Sequence, residues 1–246
     1  MKVDLARFLE DYDAEIVVLS RDRAETLAER TDKIVHGYHL FYSGEGYEDR
    51  EYHAARRTKV PRGLQGLSVV RNYVLDTLPQ KVVLFVDDDL QAIYWVAGAK
   101  SVRLDAEQVS LVFLNLLVHT LDQGATAFGL SELDLRKSSP FVPFIQRAVF
   151  GSVFGVVGRT HRFDERNLLK CDYDFCLQAM RDDRTIHKDL RYVVRAAKDQ
   201  GSGGNMTFRT PGRRYEEIDR LKKWWGDDVI RTGVGKGVEK LSVKVP

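Results

Sequence analysis

Residues 81–89 read Lys-Val-Val-Leu-Phe-Val-Asp-Asp-Asp. Lys81 to Val86 is an unbroken apolar run, whereas a half-exposed strand would alternate apolar and polar residues. It therefore reads as a strand covered on both faces, fit for the buried centre of a parallel sheet. It runs directly into three carboxylates, which repel one another, and folding requires nothing of the kind there. In open α/β sheets, ligands bind at the carboxyl ends of strands. Successive strand residues face opposite ways, so Asp87 and Asp89 are expected to share a side while Asp88 points away, embedding a D-x-D pair in the triplet. A divalent cation would relieve the repulsion, and hard oxygen ligands suit Mg²⁺ or Mn²⁺. The bland alternative is a solvated turn, since Asp is also a turn former.

Working outward, strand and helix signals alternate. Ile16 to Leu19 is a short β-branched strand that ends at Ser20-Arg21-Asp22-Arg23, and Ala24 to Arg30 has helical composition. His39 to Tyr42 reads as a second strand, closed by Ser43-Gly44-Glu45-Gly46. Gly66 to Leu78 reads as a helix with Leu67, Val70, Val74 and Leu78 near one face and Pro79 as its stop. Beyond the triplet, Gln91 to Val96 is a further extended segment. Asp105 opens the clearest helix, with Gln108 as its capping pair and Gly124 as terminator. Ser152 to Val157 is a second buried strand. A helix follows around Asp174 to Asp183, then a strand over Arg191 to Ala196, a flexible Gly201–Gly204 loop and a short helix over Arg214 to Trp225. The alternation predicts an α/β sandwich with a mostly parallel central sheet and flanking helices. One domain over residues 1–231 is expected, with a Gly/Lys-rich and poorly ordered tail over 232–246.

Composition narrows the function classes. The 246 residues suffice for one sizeable core, and 43% hydrophobic with 30% charged residues excludes a mostly disordered chain. Lys+Arg number 38 and Asp+Glu 36, giving a net charge of +2, so binding to nucleic acid by bulk charge alone is excluded. No apolar run approaches the ~18–20 residues that cross a bilayer, so no membrane association is expected. Met1 to Asp13 lacks the apolar stretch of a signal peptide. Cys171 and Cys176 lie five apart in one helix, on different faces, which disfavours a disulfide. These features predict a cytoplasmic protein, and no obligate protein partner is evident.

Other segments bear on chemistry. Ser20-Arg21-Asp22-Arg23 presents backbone N–H groups and two guanidinium groups at a strand-to-helix turn, an arrangement suited to phosphate; two surface arginines beside a helix start would look the same. Arg62-Gly63-Leu64-Gln65-Gly66-Leu67-Ser68 leads to Arg71-Asn72, its glycines allow close backbone approach, and Arg71 could reach a diphosphate. Arg50 to Arg71 holds six basic residues and one acid, the most basic stretch of the chain. Asp172 and Asp174 sit at a helix start, where a carboxylate serves as a capping group or as a general base. His119 and the Trp224-Trp225 pair read as packing residues, and His161 and His187 read as surface residues near the candidate base, where they could help to bind metal or phosphate.

The order of these pieces resembles the GT-A family of nucleotide-sugar glycosyltransferases, over roughly Ala14 to Arg231. Within it, the stretches SRDRAETL, GLQGLSVVRNYVLD, VLFVDDDL and FDERNLLKCDYDF look most like the TET-associated glycosyltransferase group of phages. The resemblance implies that Ser20, Arg21 and Arg23 hold the donor nucleotide, with Gly66, Arg71, Asp87 and Asp88 also on the nucleotide-sugar. It implies that Asp89 and Asp87 ligate Mn²⁺ or Mg²⁺, with a UDP-sugar such as UDP-glucose the favoured donor. Asp172 matches the aspartate of the family's Glu-Asp motif and Cys171 stands where that motif has Glu, which leaves Asp174 as the substitute base. His187 and Asn205 are the candidates for a further metal ligand. The group's association with modified bases implies 5-hydroxymethylcytosine or a related hydroxymethylpyrimidine in DNA as the acceptor, with Arg56, Arg57, Lys59 and Arg62 on its phosphates and Tyr47 and Tyr52 nearby. The rival readings are a transferase acting on a glycan, lipid or protein hydroxyl, a nucleotidyltransferase, and a degenerate nucleic-acid-binding domain.

Overall fold

The computed structural model describes residues 4–97, 100–132, 144–145, 151–197, 203–204, 208–235 and 238–243. In chain order the elements are α1 (Leu5–Asp11), β1 (Ala14–Arg21), α2 (Ala24–Glu29), β2 (His39–Ser43), β3 (Arg56–Lys59), α3 (Leu67–Thr77), β4 (Val82–Asp87), β5 (Leu90–Ala97), β6 (Lys100–Arg103), α4 (Ala106–Asp122), β7 (Ala127–Ser131), β8 (Phe144–Ile145), β9 (Val153–Val157), α5 (Cys171–Asp182), β10 (His187–Ala196), α6 (Pro211–Trp225), β11 (Ile230–Gly235) and β12 (Val238–Val243).

The central sheet runs β3-β2-β1-β4-β9-β7-β10-β5-β6. The expected α/β sandwich is the fold found. The sheet is mixed: β3, β2, β1 and β4 are mutually parallel, whereas β9 lies antiparallel between β4 and β7. Period-2 alternation sorts the strand residues between two layers. Ile16, Val18, Leu84 and Val86 pack with Leu27 of α2 and Val109, Phe113 and Leu116 of α4. Val17, Val83 and Phe85 face the opposite way, onto Val74 and Leu75 of α3 and Phe175 and Cys176 of α5. Burial on both sides of β1 and β4 explains their unbroken apolar sequences.

Local chemistry sets the helix ends. Asp105 accepts the N–H of Gln108 at 2.8 Å while the Gln108 side chain accepts the N–H of Asp105, the expected reciprocal cap. Gly66 precedes α3 at φ 97°, and a methyl group there would collide with the Leu168 side chain. α5 starts at Cys171, three residues ahead of the expected Asp174, and the segment just before it is tied to α6. Glu217 accepts the N–H groups of Leu168, Leu169 and Lys170 at 3.0, 2.9 and 2.9 Å.

In the tail, expected to be poorly ordered from Thr232, the described residues pair as two antiparallel strands, β11 with β12. Ile230 is fully buried with Leu177 and Leu221, which anchors β11 against α5 and α6. Both cysteines are buried free thiols, in keeping with their spacing. Among the described residues no helix is long and apolar enough to cross a membrane.

Candidate functional site

The strands β1, β2, β3 and β4 all end at one edge of the sheet, and α3 and α5 rise beside it. The cavity there has a volume of about 570 Å³. It gathers residues far apart in sequence: Ser20, Arg21 and Arg23 from the β1 turn, Gly66 and Arg71 from α3, Asp87, Asp88 and Asp89 from β4, and Asp172 from α5.

The β4 turn is held tightly. The buried Thr31 hydroxyl donates to the carbonyl of Asp87 at 2.8 Å and accepts the N–H of Leu90 at 2.9 Å, clasping both ends of the triplet. The strand ends at Asp87, so the expected alternation does not continue and Asp88 is not turned out of the site. Asp88 is buried beneath it, accepting from the Ser20 hydroxyl at 2.6 Å and from Arg23 Nη1 at 3.3 Å. The same Arg23 nitrogen lies 3.5 Å from Asp89. Tyr47 sits under this turn, bonded to Ser20 at 2.8 Å and accepting the N–H of Arg23 at 2.9 Å. It is fully buried, so it supports the β1 turn and presents no face to solvent beside the basic stretch.

Burial and mutual repulsion make the triplet costly to ionise. Burial, followed by the charges of Asp89 and Glu132, pushes the Asp87 carboxyl up to about 7, against the pull of Arg71. Burial likewise lifts Asp88 and Asp89 to about 6, with Arg23 opposing the shift in both. Hard oxygen donors under such strain fit a divalent cation, which would remove the repulsion. Asp87 and Asp89 line the cavity and are the residues that would hold it. Among the described residues no third His, Cys, Asp or Glu joins them in a closed metal centre. His187 does not: it lies on the far side of β10, fully buried, with Nδ1 3.0 Å from the Thr120 hydroxyl, and burial lowers it to about 4. Asn205 lies outside the described residues.

Arg71 is 3% exposed and caged by Phe85, Phe154 and Phe163, with ring centres 5.5, 5.4 and 5.2 Å from its guanidinium carbon. The rings surround the guanidinium itself, and Arg71 also lines the cavity, where its charge favours the ionised forms of Asp87 and Asp172. Burial raises the Asp172 carboxyl and Arg71 and Lys170 oppose the rise. Cys171, in the place of the motif's Glu, is buried 3.8 Å from Arg71, and burial pushes its thiol up to about 12. It therefore packs as a neutral side chain.

Asp172 and Asp174 separate cleanly. Asp174 is buried outside the cavity, accepting from Trp225 Nε1 at 2.8 Å and Gln178 Nε2 at 2.7 Å, so its carboxylate joins α5 to α6. It is not placed to take a proton from anything in the cavity. Trp225 thus serves packing, and Trp224 stacks on Arg166 at 4.3 Å. His161 is buried, with Nε2 hydrogen-bonded to an Asp183 carboxylate oxygen at 2.7 Å, in place of the surface role expected of it.

The basic stretch also lies elsewhere. Arg56, Arg57 and Lys59 form the edge strand β3, and none of them or Arg62 lines the cavity. Arg56 pairs with Glu15, Arg57 stacks on Tyr52 at 5.0 Å and donates to the Tyr47 carbonyl, and Lys59 pairs with Glu48 at 2.6 Å. Arg62 is exposed.

Sequence reasoning missed Glu132, Lys188 and Arg209, which also line the cavity. Glu132 follows β7, whose apolar Ala127–Leu130 run after the helix-ending Gly124 was a readable strand signal. Lys188 sits in the first half of β10, which begins four residues before the expected Arg191.

No protein-family model matches this chain and no curated protein matches it. Solved structures do. A mycobacterial protein shares 13% identity at a TM-score of 0.57, over 99% of this chain and 87% of the other. Residues 1–349 of Staphylococcus aureus TarS, in complex with UDP-GlcNAc, share 12% identity at a TM-score of 0.55, over 85% of this chain and 65% of that one. Glucosyl-3-phosphoglycerate synthase from Mycobacterium tuberculosis, in complex with Mg²⁺ and UDP, shares 15% at 0.53, over 98% and 90%. This chain therefore spans just under two thirds of the TarS fragment. At these identities the likeness is one of fold, the α/β sandwich of GT-A type.

Proposed function

We propose that this chain is a divalent-cation-dependent glycosyltransferase that moves a sugar from a nucleoside-diphosphate sugar, most naturally a UDP-sugar, to a hydroxyl acceptor. The observation that carries the reading is the convergence of the Ser20–Arg23 turn, Arg71, the Asp87–Asp89 triplet and Asp172 on one cavity. Two fold neighbours, TarS and the mycobacterial synthase, were crystallised with UDP-GlcNAc and with UDP and Mg²⁺, which agrees with it.

In this reading the β1 turn holds the nucleotide, with Ser20 and Arg23 fixed by Tyr47 and Asp88. Asp87 and Asp89 hold Mn²⁺ or Mg²⁺. Bound there, the cation neutralises charge on the diphosphate leaving group. Arg71 adds a positive charge fixed by its aromatic cage at the cavity wall. Asp172 takes the proton of the acceptor hydroxyl. Burial lifts its carboxyl above the ordinary aspartate range, which makes it a stronger base once ionised. The cavity wall beyond β4, formed by β9, β7 and β10, is left for the acceptor.

For the acceptor we put forward a hydroxymethylpyrimidine in DNA, a reading supported by the resemblance to the TET-associated group. The base would be flipped or single-stranded to enter the cavity. With Arg56 and Lys59 of β3 paired to Glu15 and Glu48, Arg57 and the exposed Arg62 are the basic groups proposed for backbone phosphates outside the cavity. The test is incubation with a panel of nucleotide sugars, Mn²⁺ and hydroxymethylated DNA, followed by nucleoside mass spectrometry. A glycosylated nucleoside, absent with Asp89→Asn, is expected. Donor turnover without DNA modification would refute the DNA acceptor and leave a glycan, lipid or protein hydroxyl. Release of pyrophosphate from a nucleoside triphosphate would indicate a nucleotidyltransferase instead.

A further inference from the structure

Glu132 has no part in the arrangement described above, yet the chain is built around it. It stands immediately after β7, at the carboxyl end of that strand, and lines the cavity. In the sheet order the donor-side strands β1, β2 and β3 lie on one side of β4, and β9 and β7 on the other. Glu132 therefore reaches the cavity from the flank that the nucleotide-holding residues leave open.

Two residues just ahead of β9 fix its carboxylate there. The backbone N–H of Ser152 donates to Glu132 Oε1. The carbonyl of the same Ser152 accepts the N–H of Asp87 at 2.9 Å, so one residue links Glu132 to the triplet strand. Beside it, Gly151 lines the cavity, and a methyl group at that position would fall on the Glu132 carboxylate. The missing side chain is what gives the carboxylate its place. Glu132, Asp87 and Asp172 line the same cavity, and the charge of Glu132 raises both of the other carboxyls. It does not complete a metal centre with Asp87 and Asp89: among the described residues no three such groups converge.

We infer that Glu132 is a further catalytic residue that receives the acceptor: it accepts a hydrogen bond from a second donor beside the reacting hydroxyl (an amino or hydroxyl group of the acceptor, or the second hydrogen of a water in its place), which leaves the reacting O–H pointing at Asp172. A carboxylate suits the task because it only accepts, so it fixes the acceptor through that second donor and offers Asp172 no competing proton. The proton of the reacting hydroxyl passes to Asp172, the oxygen lone pair forms the new glycosidic bond, and the bond from the anomeric carbon to the diphosphate oxygen breaks with its electrons leaving on the nucleoside diphosphate.

The inference rests on the nucleotide-sugar reading, so the test separates the two. Wild type and Glu132→Gln are compared for UDP and Mn²⁺ affinity by calorimetry. They are also compared for consumption of UDP-glucose, UDP-N-acetylglucosamine and GDP-mannose, both as hydrolysis, with water in the acceptor's place, and as transfer to hydroxymethylated duplex. Expected are affinities within twofold of wild type and a turnover at least tenfold lower. Gly151→Ala, which crowds the same carboxylate, is expected to reproduce that split. Normal turnover in Glu132→Gln overturns the inference alone. So does a parallel loss of UDP or Mn²⁺ affinity, which would move Glu132 into the donor site. A wild type that binds no nucleoside diphosphate and consumes no donor overturns the parent reading and this inference with it.

Discussion

Replacing Glu217 by alanine tests how the cavity is held. Its carboxylate is 1% exposed and receives three consecutive backbone N–H groups, from Leu168, Leu169 and Lys170, just ahead of the helix that carries Asp172. Burial pushes this carboxyl up and the three N–H groups oppose it, so the charge as such adds little. The loss comes from the donors left behind. An orphaned buried donor costs about 1–3 kcal/mol, and partial access of water to a loop segment favours the low end for each. Three of them put Glu217→Ala at about 3–5 kcal/mol, a large share of a typical domain stability of about 5–15 kcal/mol. Glu217→Gln keeps the volume and one accepting oxygen, and turns an amide N–H₂ against one of the three donors, for a loss of about 1–2 kcal/mol. Urea unfolding measures both differences, and amide hydrogen exchange locates them: protection is expected to fall at residues 168–172 while β1 and β4 keep theirs. A loss under 1 kcal/mol for the alanine variant, with protection at 168–170 intact, would refute the account of Glu217 as the clasp of the segment that leads into α5.

Other outcomes follow from the same geometry. Asp87 lies near 7 and Asp88 and Asp89 near 6, all raised. Their contribution to the stability of the ligand-free chain is therefore present in acid and lost as pH rises through about 6 to 7, while a cation binds the ionised forms. Mn²⁺ should raise Tm strongly at pH 8 and little at pH 5.5; an equal shift at both would contradict the placement. Tyr47→Phe leaves the Arg23 N–H without its acceptor and should cost about 1–3 kcal/mol, with a several-fold weaker UDP affinity by calorimetry. Asp172→Asn should abolish turnover and spare UDP binding, whereas Asp174→Asn should lower Tm and leave kcat of the folded enzyme close to wild type. The reverse pattern would move the base to Asp174.

The parts of this molecule that were legible in sequence share one property: their causes are local. The apolar Val82–Val86 run names a doubly covered strand because both of its faces meet helices. Asp105 and Gln108 name a helix start because each caps the other three residues away. The parts that were not legible depend on residues distant in the chain. The segment that leads into α5 is held by Glu217, whose partners lie nearly fifty residues upstream, and the local composition does not show that tie. Asp172 and Asp174 are indistinguishable as a spaced pair, and only Trp225 and Gln178 show that Asp174 is spoken for. The basic run at Arg56 to Lys59 suggested a phosphate surface near the site, but Glu15 and Glu48 pair with two of its charges and the strand lies at the sheet edge. Glu132 follows a short strand with no flanking motif, and its importance emerges only when β7 and β9 meet.

The most direct test of the central claim is calorimetric titration of UDP into the protein with and without Mn²⁺. The account predicts saturable binding with one UDP per chain that requires the cation and disappears in Asp89→Asn while that variant keeps the wild-type unfolding profile. Failure of the wild type to bind any nucleoside diphosphate, with or without Mn²⁺ or Mg²⁺, would contradict it.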